Sequence, residues 1–237
     1  MESKNLLGIG ILGGCLVLSS LVFGLFFYEA RTQDETVKVV GIAAHRYEAD
    51  TVKWTVTLEE TATPGNMKSG YRKLMSSREM LFRMLEARGL PASGINLNPV
   101  NTMPTYNRDG VISGYRIRQD VYLISQDLET VENLALYPEG LVEEGIQLQG
   151  SDLKYFYSKV DELKKELLSE ATANARERAE QILENTEVGL GKLLSLRAGV
   201  FQITEPFSTE VSSYGVYNTA SRKKEIKVTV HAVFAMR

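Results

Sequence analysis

The chain opens on a stretch with no polar rhythm at all. From Leu6 to Phe27 it reads LLGIGILGGCLVLSSLVFGLFF, 22 positions without a charge. As a helix rising about 1.5 Å per residue, this run spans roughly 33 Å, enough for a hydrocarbon core of about 30 Å. The pattern predicts a single transmembrane helix, an uncleaved signal anchor over residues 1–30. A secretory signal peptide has a shorter apolar region followed by a small-residue cleavage site. With Lys4 on the cytoplasmic side, the chain is expected in the inner membrane, single-pass, with residues 31–237 in the periplasm or outside the cell. A second reading stays open. Leu12-Gly13-Gly14-Cys15 resembles a lipobox, in which Cys15 is lipidated and becomes the mature N-terminus. Apolar sequence continues well past Cys15, which favours the span.

After a short polar linker at 31–35, strand and helix patterns alternate through residues 36–237, expected as one exported domain. Val37–Ala44 is β-branched and predicts a strand. In Thr51–Glu59, Val52, Trp54, Val56 and Leu58 alternate with Lys53, Thr55, Thr57 and Glu59, the period of a half-buried strand. Pro64-Gly65-Asn66 marks a turn. Met67, Tyr71, Leu74, Met75, Arg78, Leu81 and Leu85 then recur at helical spacing and predict an amphipathic helix ending near Gly89. Ile95–Tyr106 predicts an irregular extended segment broken by Pro99 and Pro104. Asp109-Gly110 is a hairpin signal, and Val111–Ser125 a long strand. Leu128–Ala135 predicts a short helix stopped before Pro138, and Gly145–Tyr157 another extended segment.

The most regular piece follows. Val160, Leu163, Leu167, Ala171, Ala175, Ala179, Ile182 and Leu183 line one face of a long helix running to about Asn185. Alanines in the middle of that stripe allow close approach to a partner. Lys192–Ile203 and Lys223–Met236 predict two closing strands, with a polar, Ser/Tyr-rich loop at 205–221 between them. The fold class expected is α+β: largely antiparallel sheet, two amphipathic helices and one shorter helix, preceded by a single transmembrane helix.

Composition narrows the function classes. The chain has 237 residues, 43% hydrophobic and 24% charged, which excludes a disordered or collagen-like chain. One cysteine excludes an internal disulfide framework and a cysteine-based zinc site. A net charge of −3 leaves no basic footprint for nucleic acid.

Three stretches together resemble the SIMPL domain family of bacterial exported proteins, which includes the 26 kDa periplasmic immunogenic proteins. The first is Val37-x-Val39-x-Gly41 with the alternating Val52–Leu58 strand. The second is Glu144-Gly145-Ile146, leading to Phe156 and Tyr157. The third is Leu168-x-x-Ala171-x-x-x-Ala175-x-x-x-Ala179-x-x-Ile182, followed by Gly189-x-Gly191-x-Leu193. The resemblance covers about residues 36–237. It departs at Gly41-Ile-Ala-Ala-His45 and Glu48-Ala-Asp50, where many members have a glycine or alanine after the first glycine and a Pro-Asp before the second strand. It implies an α+β fold in the cell envelope, self-association into large assemblies, a loose link to envelope maintenance and stress, and no known reaction.

The residues themselves offer little chemistry. No phosphate loop, nucleophile elbow or H-E-x-x-H motif is present. His45 and His231 read as surface strand histidines. Asp161, Glu162, Glu166 and Glu170 alternate with Lys164, Lys165 and Arg176 as a solvated helix face. The expectation is no catalytic residue, no metal, no cofactor and no enzymatic activity. The candidate interaction surface is Tyr214 and Tyr217 in the polar loop, with Arg116 and Arg118, which alternate on a strand with Asp120. The expected partners are a second copy of the chain (a homo-oligomer) and the lipid bilayer through residues 6–27, with no nucleic acid. The alternative function is a periplasmic small-ligand or peptide-binding module with polar groups converging near Arg116 and Arg118.

Overall fold

The computed structural model describes residues 2–31, 35–146 and 148–237; the side chains of residues 2–11, 28–31 and 92 are outside the description. The linker expected at 31–35 falls mostly on residues 32–34, which lie outside the described residues.

The transmembrane helix expected in the fold class is corrected. Residues Glu2–Arg31 form a helix, α1. Among the described residues, however, no helix is long and apolar enough to cross a membrane. The described side chains of α1 run from residue 12 to 27. Gly13, Gly14, Ser19, Ser20 and Gly24 interrupt its apolar surface, and both serine hydroxyls donate to the Leu16 carbonyl. Cys15 is exposed and free.

Beyond α1 the chain is α+β. Its strands are β1 (Thr36–Glu48), β2 (Thr51–Ala62), β3 (Ile95–Leu97), β4 (Asn101–Tyr106), β5 (Ile112–Ser125), β6 (Leu148–Phe156), β7 (Leu190–Ala198), β8 (Gln202–Thr204), β9 (Val216–Tyr217) and β10 (Lys223–Met236). Its helices are α2 (Met67–Ala87), α3 (Leu128–Leu136), α4 (Glu139–Glu143) and α5 (Val160–Leu183). Helix α4 and strand β9 are additions to the expected elements. One five-stranded sheet has the order β1-β10-β8-β9, with β7 also on β10; the other has the order β3-β5-β2-β6, with β4 also on β5. Pairing is antiparallel except between β8 and β9.

The chain divides into two compact units. One comprises Met1–Ile42, Ala171–Ala198 and Val230–Arg237; the other comprises Ala43–Glu170 and Gly199–Thr229. In the first, the alanine stripe of α5 meets β1. Ala175, Ala179 and Leu183 pack with Val37, Val39, Ala232 and Phe234. The methyl-sized side chains bring the helix so close that Gly41 has no space for a Cβ beside Ala171 and Ala175. Asn174 and Arg178 satisfy the backbone of β1 there: Ile42 N–H donates to Asn174 Oδ1 at 3.0 Å, and the Arg178 guanidinium donates to the Val40 carbonyl at 2.9 Å. Ile182, placed by its spacing on the buried stripe, is 57% exposed; Leu183 takes the inward position.

The second unit holds the larger core. The alternating residues of β2 pair with β5 on one side and β6 on the other, with Trp54 opposite Leu123 and Leu153. Their inward side chains pack with Leu74, Leu81 and Leu85 of α2 and Val131 and Leu134 of α3. Helix α3 starts at Asp127, whose carboxylate accepts from the Thr130 N–H at 3.1 Å. That bond satisfies one of the orphan amide groups of the first turn.

Candidate interaction site

The segment between β8 and β10 carries the two tyrosines singled out from sequence, and it is tightly tied. Strand β8 lies on β10 with Ile203 opposite Ile226, and β9 runs parallel to β8 with Ile203 opposite Tyr217. The Gln202 side chain grips the loop from both sides: its Nε2 donates to the Ser212 carbonyl at 2.7 Å, and its Oε1 accepts from the Ser212 N–H at 3.2 Å. Gly215, at φ +88, makes the return; a Cβ there would lie 2.8 Å from the Phe201 carbonyl oxygen. Asn218 closes the segment. Its N–H donates to the Ile203 carbonyl at 2.8 Å, its Nδ2 donates to Glu205 Oε2 at 2.6 Å, and its Oδ1 accepts from the Ala220 N–H at 2.8 Å.

A loop clamped at both ends holds up its tip. Phe207 is 80% exposed, Val211 79% and Tyr214 95%. Phe207 adopts φ +67, a region few side chains other than glycine enter. The Arg46 guanidinium sits 4.2 Å from its ring centroid, a cation–π contact. Arg46 is itself held by Glu225, whose Oε2 accepts from Arg46 Nε at 2.7 Å, while Lys227 pairs with the other oxygen at 2.5 Å. The bonds from Lys227 and Arg46 keep the Glu225 carboxyl below its usual range.

Behind the tip is a cleft of about 470 Å³, lined by Phe201, Tyr214, Tyr217, Val200, Ile203 and Val216, with Lys164 at its side. Tyr217 is half-exposed, and burial followed by the nearby Asp161 carboxylate raises its hydroxyl above the usual phenol range. Tyr47 lies near it and meets Tyr157 with the rings tilted 46° and their centroids 4.8 Å apart. The Tyr47 hydroxyl is buried with no hydrogen-bond partner among the described residues. Burial and the neighbouring tyrosines push it well up.

The arginines named from sequence belong elsewhere, on β5. Arg118 stands opposite Glu59, donates to Thr57 Oγ1 at 3.2 Å and lies 3.5 Å from Asp120. Arg116 is exposed one step along the same face, opposite Thr61. The cleft is not lined by either arginine. Tyr214 and Tyr217 do come together. His45 Nε2 lies 2.9 Å from Glu170 Oε2, and exposed His231 stands opposite Arg197. Among the described residues no group of three or more His, Cys, Asp or Glu is placed to hold a metal ion.

Sequence reasoning missed Phe207 and Val211, whose signal was an isolated apolar residue in a polar loop. It also missed Lys224. On β10 this residue shares the inward parity of Ile226, Val228 and Val230, and it is 1% exposed. Its ammonium donates to the Asn218 carbonyl at 2.5 Å, pinning the end of the loop. Burial lowers its pKa to about 8 from lysine's ordinary 10.5. Between those values the unfolded chain binds the extra proton, so stability rises with pH through the window, at up to about 1.4 kcal/mol per unit. The raised tyrosines act in the opposite direction, but only above roughly pH 10. Urea unfolding should therefore show stability rising by about 1 kcal/mol between pH 8 and 9.5, and Lys224→Met should flatten the rise. Parallel curves for the two proteins would exclude Lys224 as its source.

The geometry is a presented aromatic loop beside a shallow cleft, both within one compact unit. The family model described as SIMPL, protein of unknown function (DUF541), matches residues 37–234. The chain belongs to the SIMPL family. The match takes in both sheets, helices α2–α5 and the whole 205–217 loop. Among curated proteins no relative matches. The features this SIMPL chain shares with the quoted signatures are structural: Gly41 meets Ala171 and Ala175 where strand and helix touch, and Trp54 and Val56 fill a core.

Proposed function

We propose that this SIMPL chain is a non-enzymatic, self-associating interaction module of the cell envelope, and that its 205–217 loop makes the contact. The observation that carries the reading is the near-complete exposure of Phe207, Val211 and Tyr214 on one clamped loop. Large apolar side chains held out on a rigid segment lose little entropy on docking, and aromatic residues dominate interface energies. The envelope setting rests on the family resemblance, which also implies an assembly.

Native mass measurement of the full chain tests this. The wild type is expected as one discrete assembly. A Phe207→Ser, Val211→Ser, Tyr214→Ser variant should dissociate at a protein concentration at least about tenfold higher than the wild type does, in line with loss of about 1.4 kcal/mol or more over the three contacts together. A monomeric wild type, or a variant of unchanged mass, overturns the proposal. A second reading, a small-ligand-binding module, is favoured by the cleft that Tyr214 and Tyr217 line.

A further inference from the structure

We propose that the cleft behind the 205–217 loop binds a small organic anion with a flat, apolar body. The proposal deepens the ligand-binding reading and rests on it; it does not require self-association, because every lining residue comes from one chain and one compact unit.

Size and shape come first. About 470 Å³ lies within the range of roughly 300–1,000 Å³ typical of small-molecule sites. The walls are built rather than incidental. Gly215 can make its close approach to Phe201 only because it lacks a Cβ, which would meet the Phe201 carbonyl oxygen at 2.8 Å. Gly199 is similarly confined, its Cβ position 2.7 Å from Thr229 Oγ1. The pair of hydrogen bonds between the Gln202 side chain and the Ser212 backbone fixes the loop that carries Tyr214. The Tyr214 ring therefore stands in water at the rim, an aromatic surface already positioned for stacking at little further entropy cost.

The lining then sets the ligand's chemistry. Phe201, Tyr214 and Tyr217 supply flat apolar faces, and Ile203 a branched aliphatic one. Lys164 is the charged residue of the lining, with its ammonium 5.9 Å from the Phe201 ring centroid. Among the described residues its ion-pair partner is Asp161, at 3.4 Å. That carboxylate is 86% exposed and the lysine 32%. Such a pair holds weakly and yields readily to another anion. A ligand carboxylate or sulfonate at Lys164 would make a charge-assisted bond beside an apolar wall, where screening by water is reduced. A cationic ligand would meet the ammonium at the same spot.

The test uses two probes of one shape: 2-naphthoate, and its neutral counterpart 2-naphthylmethanol. Ligand-observed NMR titration of the full-length chain compares wild type, Lys164→Met, Lys164→Arg and Tyr214→Ala. Adsorption to exposed apolar surface elsewhere is common to all four proteins and drops out of the comparison. Saturable binding of naphthoate is expected, weakened at least about fivefold by Lys164→Met and largely restored by Lys164→Arg. The alcohol should change less than about twofold with Lys164→Met. Tyr214→Ala should weaken both probes. Saturable binding of the alcohol alone, or a naphthoate affinity indifferent to Lys164, overturns the anion proposal while leaving the ligand-binding reading in place. Absence of saturable binding by either probe overturns both.

Discussion

Alanine at position 41 is expected to lower the stability of the chain by about 3 kcal/mol or more, and valine to prevent folding of its unit. The new Cβ would sit 2.0 Å from the Ala171 carbonyl oxygen, 2.6 Å from Ala175 N and 2.7 Å from Ala175 Cβ. Two of those three are backbone atoms of a helix, which cannot swing aside as the end of a long side chain can. The helix would have to retreat as a body. Retreat breaks the bonds from Asn174 and Arg178 to the strand at the same place, leaving the Ile42 N–H and Val40 carbonyl without those partners. Gly65 is the internal control: nothing lies within 4 Å of its Cβ position, so alanine there should change stability by only a few tenths of a kcal/mol. Urea midpoints for the two variants decide the matter, and a Gly41→Ala protein as stable as Gly65→Ala would show that the strand and helix are not in this contact.

The second large effect belongs to Trp54, and Trp54→Ala should cost about 3–5 kcal/mol. The ring is buried in the middle of β2, between β5 and β6, where a truncated side chain leaves a void that flanking strands cannot fill. Its Nε1–H donates to Ser151 Oγ at 2.8 Å. Trp54→Phe keeps most of the apolar bulk and loses that bond; since Ser151 is exposed and can turn to water, the cost should be nearer 1–2 kcal/mol. This is the chain's single tryptophan, so unfolding must be followed by circular dichroism rather than by fluorescence. Equal stability of the two variants would mean that bulk is not what position 54 contributes.

Both positions were visible in the sequence, to different depths. Trp54 announced itself: Val52, Trp54, Val56 and Leu58 alternate with polar residues, and all four are buried. The period of a strand is a local property, and one buried face is enough to write it. Helix α5 was legible for the same reason, from Leu167 through Ala171, Ala175 and Ala179. Its errors are instructive. Ile182 was put on the buried face because it is apolar at nearly the right spacing, but Leu183 continues the inward line and Ile182 turns outward. Met75 in α2 is exposed for the same kind of reason. Apolar character alone does not choose a face when two neighbouring positions both offer it.

The candidate site was half legible. Tyr214 and Tyr217 stood out as amphipathic residues in a polar loop, but nothing in the local pattern shows how that loop is tied down. Its rigidity comes from Gln202 reaching Ser212 and from Lys224 reaching Asn218, contacts that leave no periodic trace. Arg116 and Arg118 drew notice by alternating on one strand, yet Arg118 is engaged by Thr57 and Asp120. The transmembrane expectation rests on composition along one run, and among the described residues no helix is long and apolar enough to cross a membrane.

By itself the sequence determined the kinds and order of most elements beyond α1, the buried face of β2 and the alanine line of α5, and the SIMPL family to which they belong. These follow from interactions between neighbours along the chain, which repeat every two residues in a strand and every three to four in a helix. Only the tertiary structure decided which faces meet. Ile42 and Asn174 are 132 positions apart when they bond, and Phe201 and Lys164 share a cleft without sharing an element. Such pairings depend on strand register and on how closely backbones approach, and a bare glycine against a carbonyl oxygen settles that distance with no side chain of its own to signal it.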